Sequence, residues 1–255
     1  MRLFISPAKQ MVCDGDWLAP RQLPQLLPEA EQLADYLRAL SLSELQTLLR
    51  VSAPLARQSY AFYHPFRPRE AVTPAILAYQ GIQYRYMAPD LFSESALAYI
   101  ERRLFILSGL YGVLRPLDAV VPHRLEMQTK LRADFCKTLY DYWGDKLARI
   151  IARPGEVLLN LASAEYAKAV LPYLPPDVRC ITPVFGELSG ERIVSKGVHV
   201  KMARGEMVRF LAECGAETPS ELLAFDRLGY RLCPERSTAD APVFLREPRA
   251  AYRRI

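Results

Sequence analysis

Four stretches of the chain set charged and hydroxyl side chains directly beside apolar runs: ISPAK (5–9), LSGLYGVLRPLD (107–118) with PHRLEM (122–127), NLASAEYAK (160–168) and VKMARGEMVRF (200–210). These residue types bind anions or move protons. In LSGLYG, Gly109 and Gly112 can take backbone angles closed to other residues, so that N–H groups near Ser108 point at a phosphate with no Cβ in the way. The ordinary alternative is a tight turn after a buried strand. Arg115, stiffened by Pro116, either aims its guanidinium at a phosphate or pairs internally with Asp118. Arg124 and Glu126, two apart, share a face of an extended segment as part of a site or as a salt-bridge ladder.

The third and fourth stretches read in the same two ways. Asn160 closes a strand, Ser163 suits a helix N-cap, and Glu165 and Lys168 lie three apart on one helical face, where an ion pair would explain them. Lys201, Arg204 and Arg209 surround Gly205 near the start of a helix expected over 203–214. Cations there oppose the helix dipole unless an anion neutralises both, with a solvated basic face as the alternative. Lys9, at the end of the first strand, is a phosphate contact or, if desolvated, an amine nucleophile. Lys9, Asp118, Glu126 and Glu165 are therefore the acid–base and nucleophile candidates. His64, His123 and His199 show no ligand spacing, and neither a P-loop nor a dinucleotide fingerprint occurs, so no metal and no nucleotide or other small-molecule cofactor is expected.

The elements that must position these residues are short. Residues 2–6 read as a buried strand stopped by Pro7. Helices follow to about residue 62, one opened by Pro28 and another capped by Ser43 with Gln46 three residues on. Residues 75–81, 104–109 and 157–163 read as buried strands, with helices over 93–103, 134–153 and 164–171. Residues around 180–200 read as a strand pair turning near Ser189-Gly190. Strands and helices without strict alternation indicate an α+β fold with a mixed sheet and surrounding helices.

A chain of 255 residues can bury its own core, and a single domain over 1–255 is expected, since no repeat or linker divides it. No run approaches the roughly 20 apolar residues of a membrane span, and the N-terminus lacks a secretory h-region. Five cysteines, far apart and never C-x-x-C, suggest neither disulfides nor zinc, so the cytoplasm is expected. The formal net charge of +5 is gathered in 192–209 and in a C-terminal cluster from Arg227 to Arg254, which fits an anionic partner.

Taken together, ISPAK, LSGLYGVLRPLD, P-x-RLEM, YWGD (142–145), NLAS-x-EY-x-K, K-x-ARG-x-M-x-RF and F-x-x-x-GY (225–230) resemble the YaaA family of bacterial peroxide stress proteins along nearly the whole chain. Gln128 departs from that pattern, which has glycine after RLEM. The resemblance implies an unusual fold with a positively charged cleft and a helix-hairpin-helix-like element that falls on Ser108 to Gly112. There the spacing is similar to the L-x-G-h-G hairpin with Tyr111 added. It further implies binding of duplex or branched DNA under hydrogen peroxide stress, with DNA protected and free intracellular iron limited. The DNA-binding set is then Ser108, Gly109, Gly112, Arg115, Arg124, Asn160, Lys168, Lys201, Arg204 and Arg209. An alternative is an enzyme on nucleic acid or a nucleobase, of lyase or glycosidase type, using Lys9 and nearby carboxylates. Direct iron sequestration is disfavoured by the missing ligand spacing.

Overall fold

The computed structural model describes residues 1–13, 18–131 and 133–247. Arg249, Arg253 and Arg254 of the C-terminal basic cluster lie outside the described residues. One sheet is built from β1 (Arg2–Ile5), β2 (Leu104–Ser108), β3 (Gly112–Leu114), β4 (Leu158–Leu161) and β5 (Cys180–Ile181), in the order β3-β2-β1-β4-β5. Only β3 runs antiparallel to its neighbour. The apolar sequences RLFI, LFILS and LLNL are buried at every position, as parallel strands covered on both faces require. Ile5 pairs with both Ile106 and Leu161, so β1, β2 and β4 end at one level. Their carboxyl ends open on one edge, the edge where sheets of this kind place ligands.

A second sheet, β6 (Val184–Ser189), β7 (Arg192–Val194), β8 (Tyr230–Leu232) and β9 (Val243–Arg246), has the order β7-β6-β9-β8. Its β6–β7 hairpin turns at Ser189-Gly190 as the sequence indicates, with Gly190 at φ +58°. Besides single helical turns at Ala75–Ala78 and Pro219–Leu222, the α-helices of the described residues are α1 (Leu27–Ala39), α2 (Leu42–Leu49), α3 (Ala53–Tyr63), α4 (Ile82–Met87), α5 (Glu94–Arg103), α6 (Leu139–Trp143), α7 (Lys146–Ile151), α8 (Ala164–Ala167) and α9 (Gly197–Cys214). The fold is α+β.

Several local expectations are corrected. The cap of α2 is Ser41, whose hydroxyl accepts from the Glu44 amide in a capping box, and not Ser43. Residues 75–81 begin as a single helical turn, Ala75–Ala78, followed by the two-residue strand Tyr79–Gln80, because an apolar run this short suits either conformation. The helix expected over 134–153 begins only at Leu139, ends at Ile151 and is split into α6 and α7 at Gly144 (φ +48°). Helix α9 starts at Gly197, six residues before the expected position, so Lys201 and Arg204 sit one and two turns inside it and the helix-dipole reason for an anion there fails.

Residues 108–112 are also not a helix-hairpin-helix. Ser108 pairs with Gly112 across the antiparallel β2–β3 hairpin, and Gly112 takes φ +68° to close it. A tight turn between two helices occurs instead at α2–α3, where Arg50 adopts φ 52°.

Candidate anion-binding cleft

The three strand ends and α9 enclose a cleft of about 480 Å³. From the segment after β1 come Ser6 and Lys9, from the end of β2 and the turn after it Ser108 and Gly109, from the segment after β4 Ser163 and Glu165, and from α9 Lys201 and Arg204. Arg124 and Glu126 enter from the 122–127 segment, so all four stretches that stand out in the sequence meet here. The lining carries four cationic side chains, Lys9, Arg124, Lys201 and Arg204, against the carboxylates of Glu126 and Glu165.

Two glycines set this geometry by close approach. A Cβ at Gly109 would lie 2.1 Å from the Leu125 carbonyl oxygen, and one at Gly205 would lie 2.1 Å from that of Gln83, where α9 crosses α4. Gly205 is thus a packing residue, and it brings Lys201 and Arg204 against the Gln83 end of the cleft. The expected nest of glycine amides does not form as a pair. Gly109 lines the cleft and its carbonyl accepts from Trp143 Nε1 at 3.1 Å, whereas Gly112 is packed under Trp143, Leu147 and Leu26.

Glu126 sits between two cations, 3.0 Å from Lys9 Nζ and 3.3 Å from Arg124 Nη2. Lys9 is 66% exposed and ion-paired, so the desolvation that a nucleophilic lysine needs is missing. Glu165 has no ion pair among the described residues and accepts from the Gln128 amide at 3.2 Å. Burial lifts its carboxyl above the usual glutamate range and the nearby Glu126 charge adds to this, against the Gln128 and Met127 amides and Lys9. Gln128, the departure from the family pattern, thus contacts the site through its backbone.

The arginines carry the clearest electrostatic feature of the cleft. The Nε atoms of both Arg124 and Arg204 are buried and have no hydrogen-bond partner. Burial pushes the Arg204 guanidinium down to about 10. Buried donors are nearly always satisfied, so two arginines that line one cleft and each keep an unpartnered Nε are a feature that packing alone does not account for.

The remaining residues singled out in the sequence are elsewhere and have structural partners. Arg115 and Asp118 form the internal ion pair, at 2.9 Å, and Arg115 also donates to the Leu23 carbonyl. Asn160 donates to Thr182 and accepts from the Ala162 amide, Lys168 lies over the Tyr140 ring, and Arg209 pairs with Glu213. A larger recess of about 890 Å³ lies beside His199 and Arg246, where Arg246 pairs with Glu187 at 2.6 Å.

Sequence reasoning missed the polar wall behind the cleft. His123 Nδ1 lies 2.9 Å from the Val121 carbonyl, which can only accept, so Nδ1 carries the proton and Nε2 accepts from Ser108 or Tyr79. Its proximity to Pro122 and Arg124 in PHRLEM was the available hint. Burial pushes the ring down to about 4 from 6.5. The unfolded chain therefore takes up a proton that the native state refuses. As pH falls from 6.5 towards 4 this residue removes stability, up to about 3 kcal/mol. Asp118, raised from 3.8 to about 6 by burial, acts in the opposite sense over that window. His123→Gln is therefore expected to flatten the acid loss of stability, read as a smaller change in urea midpoint between about pH 7 and 4.5 than in the unsubstituted protein.

A family model described as peroxide stress protein YaaA matches residues 1–236. The chain belongs to this family. Among YaaA-family relatives, a UPF0246 protein of Desulfitobacterium hafniense (strain Y51) is 47% identical over 246 residues, covering 96% of this chain and 98% of the relative. UPF0246 proteins of Agathobacter rectalis and Lactiplantibacillus plantarum are 40% and 43% identical, each spanning at least 96% of this chain and 99% of their own length. The family match spans every stretch that lines the cleft. No described helix is long and apolar enough to cross a membrane.

Proposed function

We propose that this YaaA-family protein acts in the cytoplasm under peroxide stress by binding DNA, holding a backbone phosphate in the cleft with Arg124, Arg204 and Lys201. The observation that carries this reading is the convergence of four cationic side chains, Lys9, Arg124, Lys201 and Arg204, on one cleft, with Lys201 and Arg204 free of any carboxylate among the described residues. Guanidinium groups suit phosphate because their fork matches its oxygens, and burial strengthens each bond. The cleft, at about 480 Å³, is of the size that holds one small ligand and is too small for a duplex. The protein therefore engages a single nucleotide, at an end, a branch point or an unpaired stretch.

The test is a salt titration of binding to a branched DNA and to a blunt duplex of equal length. Affinity should be higher for the branched form, and log K should fall with log salt by roughly 0.7–0.9 per phosphate held. Lys201→Gln should weaken binding regardless of sequence and reduce that slope by about one phosphate's worth. Binding that ignores salt, or that Lys201→Gln and Arg124→Met leave unchanged, removes this reading.

A further inference from the structure

The cleft holds more than an anion clamp requires. A phosphate site gains nothing from carboxylates, which repel it, yet Glu126 and Glu165 both line the cavity. Their surroundings differ in kind. The charge of Glu126 is compensated by Lys9 and Arg124, while Glu165 is partly buried without a cation in contact. Two carboxyl groups in one site whose environments separate them mark an acid and a base. Tyr84 and Tyr166, both buried, form part of the wall of the same cavity.

Resting on the phosphate reading above, we propose that the cleft is a hydrolytic centre for the N-glycosidic bond of a nucleotide, with Glu165 as proton donor and Glu126 as base. Water attacks C1′ of the sugar, and its proton passes to Glu126. The C1′–N bond breaks with its electron pair going to the base nitrogen, which receives the proton of Glu165. The products are the free base and the sugar phosphate with a hydroxyl at C1′. Solvent exchange returns the proton from Glu126 to Glu165, so one water is consumed and nothing is oxidised. The same carboxylates that disfavour attack at phosphorus stabilise the positive charge that develops on the sugar ring. Burial raises the proton affinity of Glu165, in keeping with a donor. Lys9 and Arg124 are positioning residues for Glu126.

The probes are the four deoxynucleoside 5′-monophosphates and a short single-stranded oligonucleotide. Free base is measured by chromatography, and mononucleotide binding by equilibrium dialysis. The unsubstituted protein should release base from at least one probe. Glu165→Gln should slow release by about 100-fold or more while still retaining nucleotide, and Glu126→Gln should slow it as well. Unchanged thermal unfolding of both variants separates this from loss of fold. Nucleotide bound without base release overturns the catalytic proposal and leaves the binding reading standing. Neither binding nor release overturns both, and full release by Glu165→Gln overturns the assignment of the donor.

Discussion

Gly205→Ala is expected to lower the melting temperature by roughly 6–12 °C and to weaken DNA binding in the same variant. The added Cβ would stand 2.1 Å from the Gln83 carbonyl oxygen and 2.9 Å from the Met87 amide nitrogen, both backbone atoms of α4. Neither can rotate away as a side chain would, so α9 and α4 must move apart. Overpacking against backbone lies at or beyond the upper end of the usual range, about 3 kcal/mol, and each kcal/mol shifts a domain of this size by about 2–4 °C. Lys201 and Arg204 ride on α9 four and one residues before the clash, so relief of the clash displaces two cleft cations. Gly197→Ala is the matched control. It lies on the same helix, its Cβ meets nothing within 4 Å and its φ is not in the left-handed region. Calorimetry should find it unchanged or slightly more stable, because alanine favours a helix over glycine, and an equal loss in both variants would show that the crossing does not set the effect.

The sheet was legible in the sequence because a parallel strand buried on both faces leaves a continuous apolar run, and RLFI, LFILS and LLNL are such runs. The cleft was legible in outline for the same reason. Polar residues that directly follow those runs, Lys9, Ser108 and Glu165, come out at one sheet edge once the strands are parallel. What stayed hidden depends on pairings distant in the chain. Two glycines three apart could serve a phosphate loop or a strand reversal, and only the Ser108–Gly112 register decides for the latter. Arg115 reads the same whether it meets a ligand or Asp118. The start of α9 was misplaced because Val198 and Val200 favour strand locally, and packing against α4 overrides them. His123 was missed because its partners are Ser108 and Tyr79, 15 and 44 positions away.

Arg204→Met is expected to stabilise the ligand-free protein while removing most of its affinity for phosphate. The Arg204 side chain makes no hydrogen bond or ion pair among the described residues, and its Nε is buried. Burial alone pushes its guanidinium from 12.5 to about 10, which corresponds to an upper bound of about 3 kcal/mol held against the folded state. Methionine fills similar space along the same stem without the charge, so removal should return roughly 1–3 kcal/mol, seen as a melting temperature higher by about 2 °C or more. Binding should move the other way, by at least about tenfold, since a charge-assisted bond to a buried arginine is worth about 1.5–3 kcal/mol. Opposite signs in the two measurements identify a residue held at a cost for its ligand, the usual sign of a functional site. Loss of stability together with loss of binding would instead make Arg204 a structural residue, and the weakened binding its by-product. Arg204→Lys discriminates further, because it keeps the charge but loses the fork. It should leave the ligand-free protein no more stable than the parent and restore only part of the affinity.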